Sequence, residues 1–370
     1  MSSSEKNVLL SVKELKKYYP VPNPSLRPQP KRFVRAVDGV SFALREGETL
    51  GLVGESGCGK STVGRLLVGI EQPTEGTVEY RGRSLADRKS CERKHIRTEL
   101  QMIFQDPYAA LNPRKHVYDI LSAPMLYHGL ADRSNAGQKV DELLEQVGLP
   151  KNAKERYPHE FSGGQRQRIV IAKALSLNPK VIICDEPVSA LDNSIQAQVL
   201  NLLRDLQRER GLSYLYIAHG LGTVHYVSHR VAVMYLGRIV EVADVEEIFR
   251  RPLHPYAQML ISSVPVADPT KRDRPVVIPP GEVPSAMDIP SGCRFHDRCP
   301  YADDRCRREE PELRAALPAQ AEADAVAAGQ RGAGERFAAG AVLHETACWH
   351  AEQIEAKTMG QTAAERSAEW

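Results

Sequence analysis

Gly54-Glu55-Ser56-Gly57-Cys58-Gly59-Lys60-Ser61 follows the apolar run Leu50-Gly51-Leu52-Val53 and leads into TVGRLLVG, which has helical character. The eight residues fit the pattern G-x-x-x-x-G-K-S/T. Glycines let successive backbone N–H groups curl around phosphate oxygens, and the helix N-terminus adds the positive end of its dipole. Residues 54–59 then form the cradle, Lys60 reaches the β- and γ-phosphates, and the Ser61 hydroxyl can ligate Mg²⁺, with Thr62 next to it. A glycine-rich turn bearing a surface lysine is the bland alternative. The strand-loop-helix context argues against it.

Val181-Ile182-Ile183-Cys184 is a second apolar run, and it ends in Asp185-Glu186-Pro187. A carboxylate leaving a buried strand, here Asp185, can hold Mg²⁺ beside the phosphate loop. The acid after it, Glu186, can polarise an attacking water. No N-K-x-D segment occurs in the chain, which disfavours a guanine nucleotide. Phe161-Ser162-Gly163-Gly164-Gln165 opens another helix about 100 residues past the loop. It is a second glycine-rich helix start suited to phosphate. One ATP cannot easily use both sites of one chain, whereas two chains placed head to tail could sandwich two.

The elements that must position these residues alternate between strand and helix. Ser213 to Ala218 and Val231 to Leu236 are further apolar runs of the parallel-sheet kind. Ile195, Val199, Leu202, Leu203 and Leu206 recur at helical spacing, with Asp192 or Asn193 to cap and Gly211 to stop. The fold class is α/β with a mostly parallel sheet. Residues 116–160 read as helical, with Val140, Leu143, Leu144 and Val147 on one face, and so as a helical insertion. Residues 21–35, rich in Pro and basic side chains, read as an exposed loop between early strands. The 370 residues are 42% apolar and 26% charged with a net charge of +2, which excludes a largely disordered chain and gives no sign of a dedicated nucleic-acid binder. No apolar run is long enough to cross a bilayer, and the N-terminus lacks a cleavage signal, so a cytosolic protein is expected.

In their order, these motifs resemble those of ATP-binding cassette (ABC) ATPases over about residues 8–250. Phe161 stands where the family signature usually has Leu. The resemblance implies a P-loop ABC ATPase fold: a RecA-like, mostly parallel sheet core, an antiparallel β subdomain and an inserted helical subdomain. It implies that Tyr19 stacks on adenine and that Gln105 senses Mg²⁺ and the membrane partner. The Ser189-to-Asp192 loop would join the two sites, and His219 would contact the γ-phosphate. Catalysis would then rest on Glu186, His219, Lys60 and Gln105. ATP would be held by Tyr19, residues 54–62, Ser162 to Gln165 and Asp192, and Mg²⁺ by Ser61, Gln105 and Asp185. Gly220 departs from the family, which often has Asp there, so a carboxylate and a helix cap are missing.

After Arg250 the character changes, which divides the chain into residues 1–250, with a helical subdomain at about 116–176, and an extension at 251–370. Arg251-Pro252-Leu253-His254-Pro255-Tyr256, Gly281-Glu282-Val283-Pro284 and Gly292-Cys293-Arg294-Phe295 resemble ATPase subunits of bacterial oligopeptide and dipeptide importers. Nickel importers share parts of this tail. Phe104 to Arg114 and Val188 to Gln198 look most like the F-type member of an unlike pair. Implied partners are a second ATPase subunit, two membrane permeases and, indirectly, a peptide-binding protein, with no nucleic acid. The implied location is peripheral, on the cytoplasmic face of the cytoplasmic membrane. A soluble, non-transport ABC ATPase is the rival class, though the paired cassettes or coiled coils typical of it are absent. Cys293, Cys299, Cys306 and Cys348 suit a 4Fe-4S cluster or Zn²⁺, and the lack of a tight C-x2-C pair favours the cluster over zinc; reduced, unliganded thiols are the bland alternative. A tail so rich in Pro, Ala and Gly is expected to need such a centre to fold. Cys58 and Cys184 read as packing residues, and Cys91 as a scattered one.

Overall fold

The computed structural model describes residues 7–22, 32–86, 96–264, 281–316 and 344–355. Cys91, most of the basic Pro-rich loop and most of the Ala/Gly-rich stretch lie outside these. The strands are β1 (Val8–Pro20), β2 (Phe33–Arg45), β3 (Thr49–Val53), β4 (Glu75–Tyr80), β5 (Arg83–Ser84), β6 (Leu100–Ile103), β7 (Val181–Asp185), β8 (Ser213–Ala218), β9 (Arg230–Tyr235), β10 (Arg238–Asp244), β11 (Arg314–Ala315) and β12 (Glu345–Thr346). They form a four-stranded antiparallel sheet in the order β2-β1-β4-β5 and an eight-stranded sheet in the order β11-β12-β10-β9-β3-β8-β7-β6. Strands β9, β3, β8, β7 and β6 are parallel. Every residue of β3, β7 and β8 is buried, as continuous apolar runs require when helices cover both faces.

Helix boundaries follow local chemistry. The Asp192 side chain accepts from the Ile195 N–H at 3.0 Å and opens the helix Asn193–Arg210, which Gly211 closes at φ 64°. Helices Val117–Tyr127 and Ala136–Gln146 form the inserted region, and Val140, Leu143 and Leu144 turn inward as their spacing requires. Two large apolar clusters result among the described residues, with a small third one of Leu253, Cys348, Ala351 and Ile354 in the tail. One joins Leu10, Val12 and Phe42 of the antiparallel sheet to Leu50, Leu52 and Val63 around the helix Lys60–Leu67. The other gathers the inserted helices, the far face of the large sheet and, from the tail, Tyr256 and Phe295.

The tail takes part of its order from the cassette. Strand β12 pairs antiparallel with β10, matching Glu241 with Thr346, and β11 pairs with β12, so the chain's end widens the large sheet. Arg294 is buried and ion-pairs with Asp38 of β2 at 2.5 Å. Burial pushes the Asp38 carboxyl up, but the Tyr18 hydroxyl and Arg294 outweigh it and hold the group below its ordinary range.

Glu241 of β10 is wholly buried. Its carboxylate accepts from the Leu253 and His254 N–H groups, both at 2.8 Å, and meets His344 Nε2 at 2.6 Å. The ring of His254 in turn accepts from the Tyr256 N–H and starts the helix Pro255–Ser262; burial pushes its pKa down to about 3. Glu241→Ala should strand two amides and a histidine in an apolar setting at a cost of about 3 kcal/mol. The denaturant midpoint measures it. A midpoint equal to wild type would show that water reaches these amides and that Glu241 is not a structural tie.

Candidate nucleotide site

The phosphate loop leaves β3 and passes beneath two other backbones. A Cβ on Gly54 would lie 2.1 Å from the Met234 carbonyl oxygen, and one on Gly59 would lie 2.0 Å from that of Ala36. Both glycines also sit at positive φ, so their identity is fixed by space as well as conformation. Gly59 leads directly into the helix Lys60–Leu67. Lys60 is buried, and its ammonium donates to the Gly54 carbonyl at 2.7 Å and the Glu55 carbonyl at 3.0 Å. The cation is thus already held inside the loop that would wrap phosphate.

Ser61 Oγ donates to Asp185 Oδ1 at 2.9 Å. Burial pushes the Asp185 carboxyl above its usual range, opposed by the Ser61 bond and aided by the adjacent Glu186. A hydroxyl beside a desolvated carboxylate is a hard-oxygen set that fits Mg²⁺, whose charge would favour the ionised acid. Glu186 stands at φ 47°, a left-handed conformation rare outside glycine, and its Oε2 accepts from Gln105 Nε2 at 2.7 Å. A cavity of about 720 Å³ is lined by Lys60, Ser61, Gln105, Glu186, Ser189 and His219 together with loop residues and Thr62. The proposed base, the γ-phosphate contact and two of the proposed metal ligands, Ser61 and Gln105, therefore share one space, while buried Asp185 lies behind Ser61.

Other residues of the expected site lie elsewhere. Tyr19 is half-buried on β1; its hydroxyl bonds to Glu71 and meets the Thr62 side chain, so the ring stands beside the loop helix without lining the cavity. Ser162 caps the helix Gly163–Leu175 by accepting from the Gln165 N–H, while Gln165 returns a bond to the Ser162 N–H at 3.1 Å. A Cβ on Gly164 would come within 2.4 Å of Ile195, so this glycine lets two helices close up. None of Ser162, Gly163, Gly164, Gln165 or Asp192 lines this chain's own cavity. Gly220, as its lack of a side chain dictates, starts the helix Leu221–Val227 without a side-chain cap.

Cys293, Cys299, Cys306 and Cys348 share one neighbourhood of the extension, although the group of potential ligand atoms lying within 4.8 Å of one another among the described residues is that of Asp303, Cys306 and His350. The Cys293 N–H donates to the Cys306 carbonyl at 2.7 Å, and Cys293, Cys299 and Cys306 all act electrostatically on Cys348. Burial pushes the thiols of Cys293 and Cys348 up to about 12 and that of Cys299 to about 11. Thiolates there would need a bound cation, which is what a metal site supplies. His350, given no role from sequence, lies 3.6 Å from Cys306 Sγ and 3.4 Å from Asp303. Its position two residues after Cys348 was the available signal. Cys58 and Cys184 are buried, away from this group.

Comparison with known proteins matches these two regions separately. Residues 37–189 fit the ABC transporter family and residues 240–306 the family described as oligopeptide/dipeptide transporter, C-terminal region. The oligopeptide transport ATP-binding protein AppF of Bacillus subtilis is 48% identical, covering 86% of this chain and 97% of that protein. The oligopeptide transport ATP-binding protein OppF of Salmonella typhimurium is 49% identical, covering 84% of this chain and 93% of its own length. Among solved structures, the ATP-binding cassette MJ0796, a dimer in a post-hydrolysis state with ADP and Pi, superposes with a TM-score of 0.56 at 25% identity, covering 64% of this chain and 99% of that one. With the phosphate loop, the acidic strand end and the cysteine-bearing tail all in place, the chain belongs to the ABC transporter family, among the ATP-binding proteins of its oligopeptide/dipeptide type.

Proposed function

We propose that this chain hydrolyses ATP on the cytoplasmic face of the membrane to power the uptake of oligopeptides or dipeptides through two permease subunits. Residues 1–250 act as the cassette, with residues 116–176 as its helical subdomain, and residues 251–370 as the extension. The observation that carries this reading is the single cavity joining Lys60, Ser61, Gln105, Glu186 and His219. The names of the relatives favour peptides over nickel or another small solute. A second, unlike ATPase subunit would meet the chain head to tail, because Ser162 to Gln165 lie off this chain's own cavity. Support for permease docking comes from a groove of about 240 Å³ where Val68, Phe104 and Lys173 meet, with Phe104 exposed on its rim.

In this reading Lys60 and the loop amides hold the β- and γ-phosphates, and Tyr19 receives the adenine. Mg²⁺, held by Ser61, Asp185 and Gln105, would offset phosphate charge. Glu186 accepts a proton from, or polarises, the attacking water, and Gln105 fixes its carboxylate in place. His219 bonds to the γ-phosphate. Glu186→Gln preserves shape and the neighbouring ligands but removes the base. ATP should still bind while steady-state hydrolysis falls about 10²- to 10⁴-fold. Turnover near wild type in the assembled complex would remove Glu186 from this role. Ser162→Arg should impair the partner's site more than its own, read by nucleotide trapping resolved by subunit; the reverse pattern would sink the head-to-tail arrangement.

The convergence of Cys293, Cys299, Cys306 and Cys348 supports a 4Fe-4S cluster in the extension. Anaerobically purified protein should then be brown, with broad absorption near about 400 nm. Any single Cys→Ser change among the four should bleach it while ATP binding survives. Colourless protein with stoichiometric zinc would instead assign the site to Zn²⁺, with Cys306 and His350 as natural ligands. Protein free of both metals would leave the thiols unliganded.

A further inference from the structure

Glu55, the second residue of the phosphate loop, is held from three directions. Its carbonyl accepts from Lys60 at 3.0 Å, inside the loop. Its N–H donates to the buried Tyr256 hydroxyl at 2.7 Å. Its carboxylate receives both terminal nitrogens of Arg298, at 2.8 and 3.0 Å. Two of the three anchors thus come from beyond residue 250. Arg298 is itself only 6% exposed, lies with its guanidinium 3.4 Å from the Tyr235 hydroxyl and rests near the ring of Phe295.

A carboxylate in a loop that must receive polyphosphate poses an electrostatic problem. Left alone, Glu55 would repel the ligand that the loop is shaped to bind. A planar, bidentate guanidinium removes that charge and fixes the carboxylate's direction at once, which a lysine would do less well. We propose that Arg298 is a positioning residue for ATP binding: by neutralising and orienting Glu55, the C-terminal extension completes the phosphate loop of its own chain. The extension is therefore a working part of the nucleotide site. This rests on residues 54–61 being the phosphate loop, which ATP binding by the wild-type chain tests by itself.

Paired neutral substitutions separate this role from a purely structural one. Arg298→Gln leaves the Glu55 carboxylate uncompensated, and Arg298→Gln with Glu55→Gln removes both charges together. A fluorescent ATP analogue is titrated into the full-length proteins, and KM and kcat are measured in the assembled complex. The single variant should bind the analogue about tenfold or more weakly, with KM raised more than kcat is lowered, and Arg298→Lys should fall between it and wild type. The double variant, which keeps the loop's backbone amides and Lys60, should regain most of the affinity that the single variant loses. Unchanged affinity in the single variant, or an equal loss in both, would overturn the proposal. If Arg298→Gln does not fold, recovery of folding and of ATP binding in the double variant supports the same charge relation, and failure of the double variant to bind ATP overturns it.

Discussion

All of the chemistry in this chain depends on the register of four parallel strands. Pairing places Val53 beside Ala218, Asp185 beside Ile217 and Ile103 beside Cys184, so β3, β8, β7 and β6 end along one edge. The residues that follow them are the phosphate loop, His219, Glu186 and the segment carrying Gln105. A shift of one residue in any strand would reverse its faces and withdraw its side chain from the cavity. Such registers hold because both faces are buried, and the carboxyl ends of parallel strands are where α/β sheets bind their ligands. Catalytic geometry here is a consequence of core packing.

The opposite demand falls on the loop itself, which must bring backbone amides close to an anion while lying between two layers. Gly54 and Gly59 permit this by leaving no side chain where the Met234 and Ala36 carbonyls pass. The tail then closes the arrangement. Arg294 ties it to β2 through Asp38, Arg298 ties it to the loop through Glu55, and β12 ties it to the sheet through β10. Buried ion pairs of this kind contribute little net stability, since desolvation offsets most of their attraction. Their contribution is geometric: removing one partner leaves a buried charge, so alternative placements of the tail are disfavoured.

What could be read from sequence divides along a physical line. Local signals were legible. Continuous apolar runs marked β7 and β8, the glycine spacing marked the loop, and Asp192 and Gly211 bounded a helix by capping chemistry that needs only neighbours. The four tail cysteines stood out in the sequence because thiols are scarce. Arg298, Tyr256 and the Glu241–His344 pair were not, since each acquires its meaning from a partner far along the chain. Arg298 meets Glu55 across 243 residues, and Tyr256 meets it across 201. An arginine in a basic, Pro-rich tail carries no mark of the carboxylate it will find. For the same reason the hold that two strands and two buried arginines give the tail on the cassette was not legible.

Glu186 shows how the local and the distant combine. Its position after a buried strand follows from sequence, but its left-handed backbone does not. A non-glycine residue at φ 47° costs about 1–2 kcal/mol, and that cost is borne only where surrounding structure over-determines it. Here the Glu186 N–H is fixed to the Ile217 carbonyl at 2.9 Å and its carboxylate to Gln105 at 2.7 Å. The backbone bond comes from β8, and the side-chain bond from the segment after β6. Movement of that segment would therefore act directly on the Glu186 carboxylate. Since Phe104, next to Gln105, rims the exposed groove, pressure on the groove and the position of the Glu186 carboxylate are mechanically adjacent, separated by one peptide bond and one hydrogen bond.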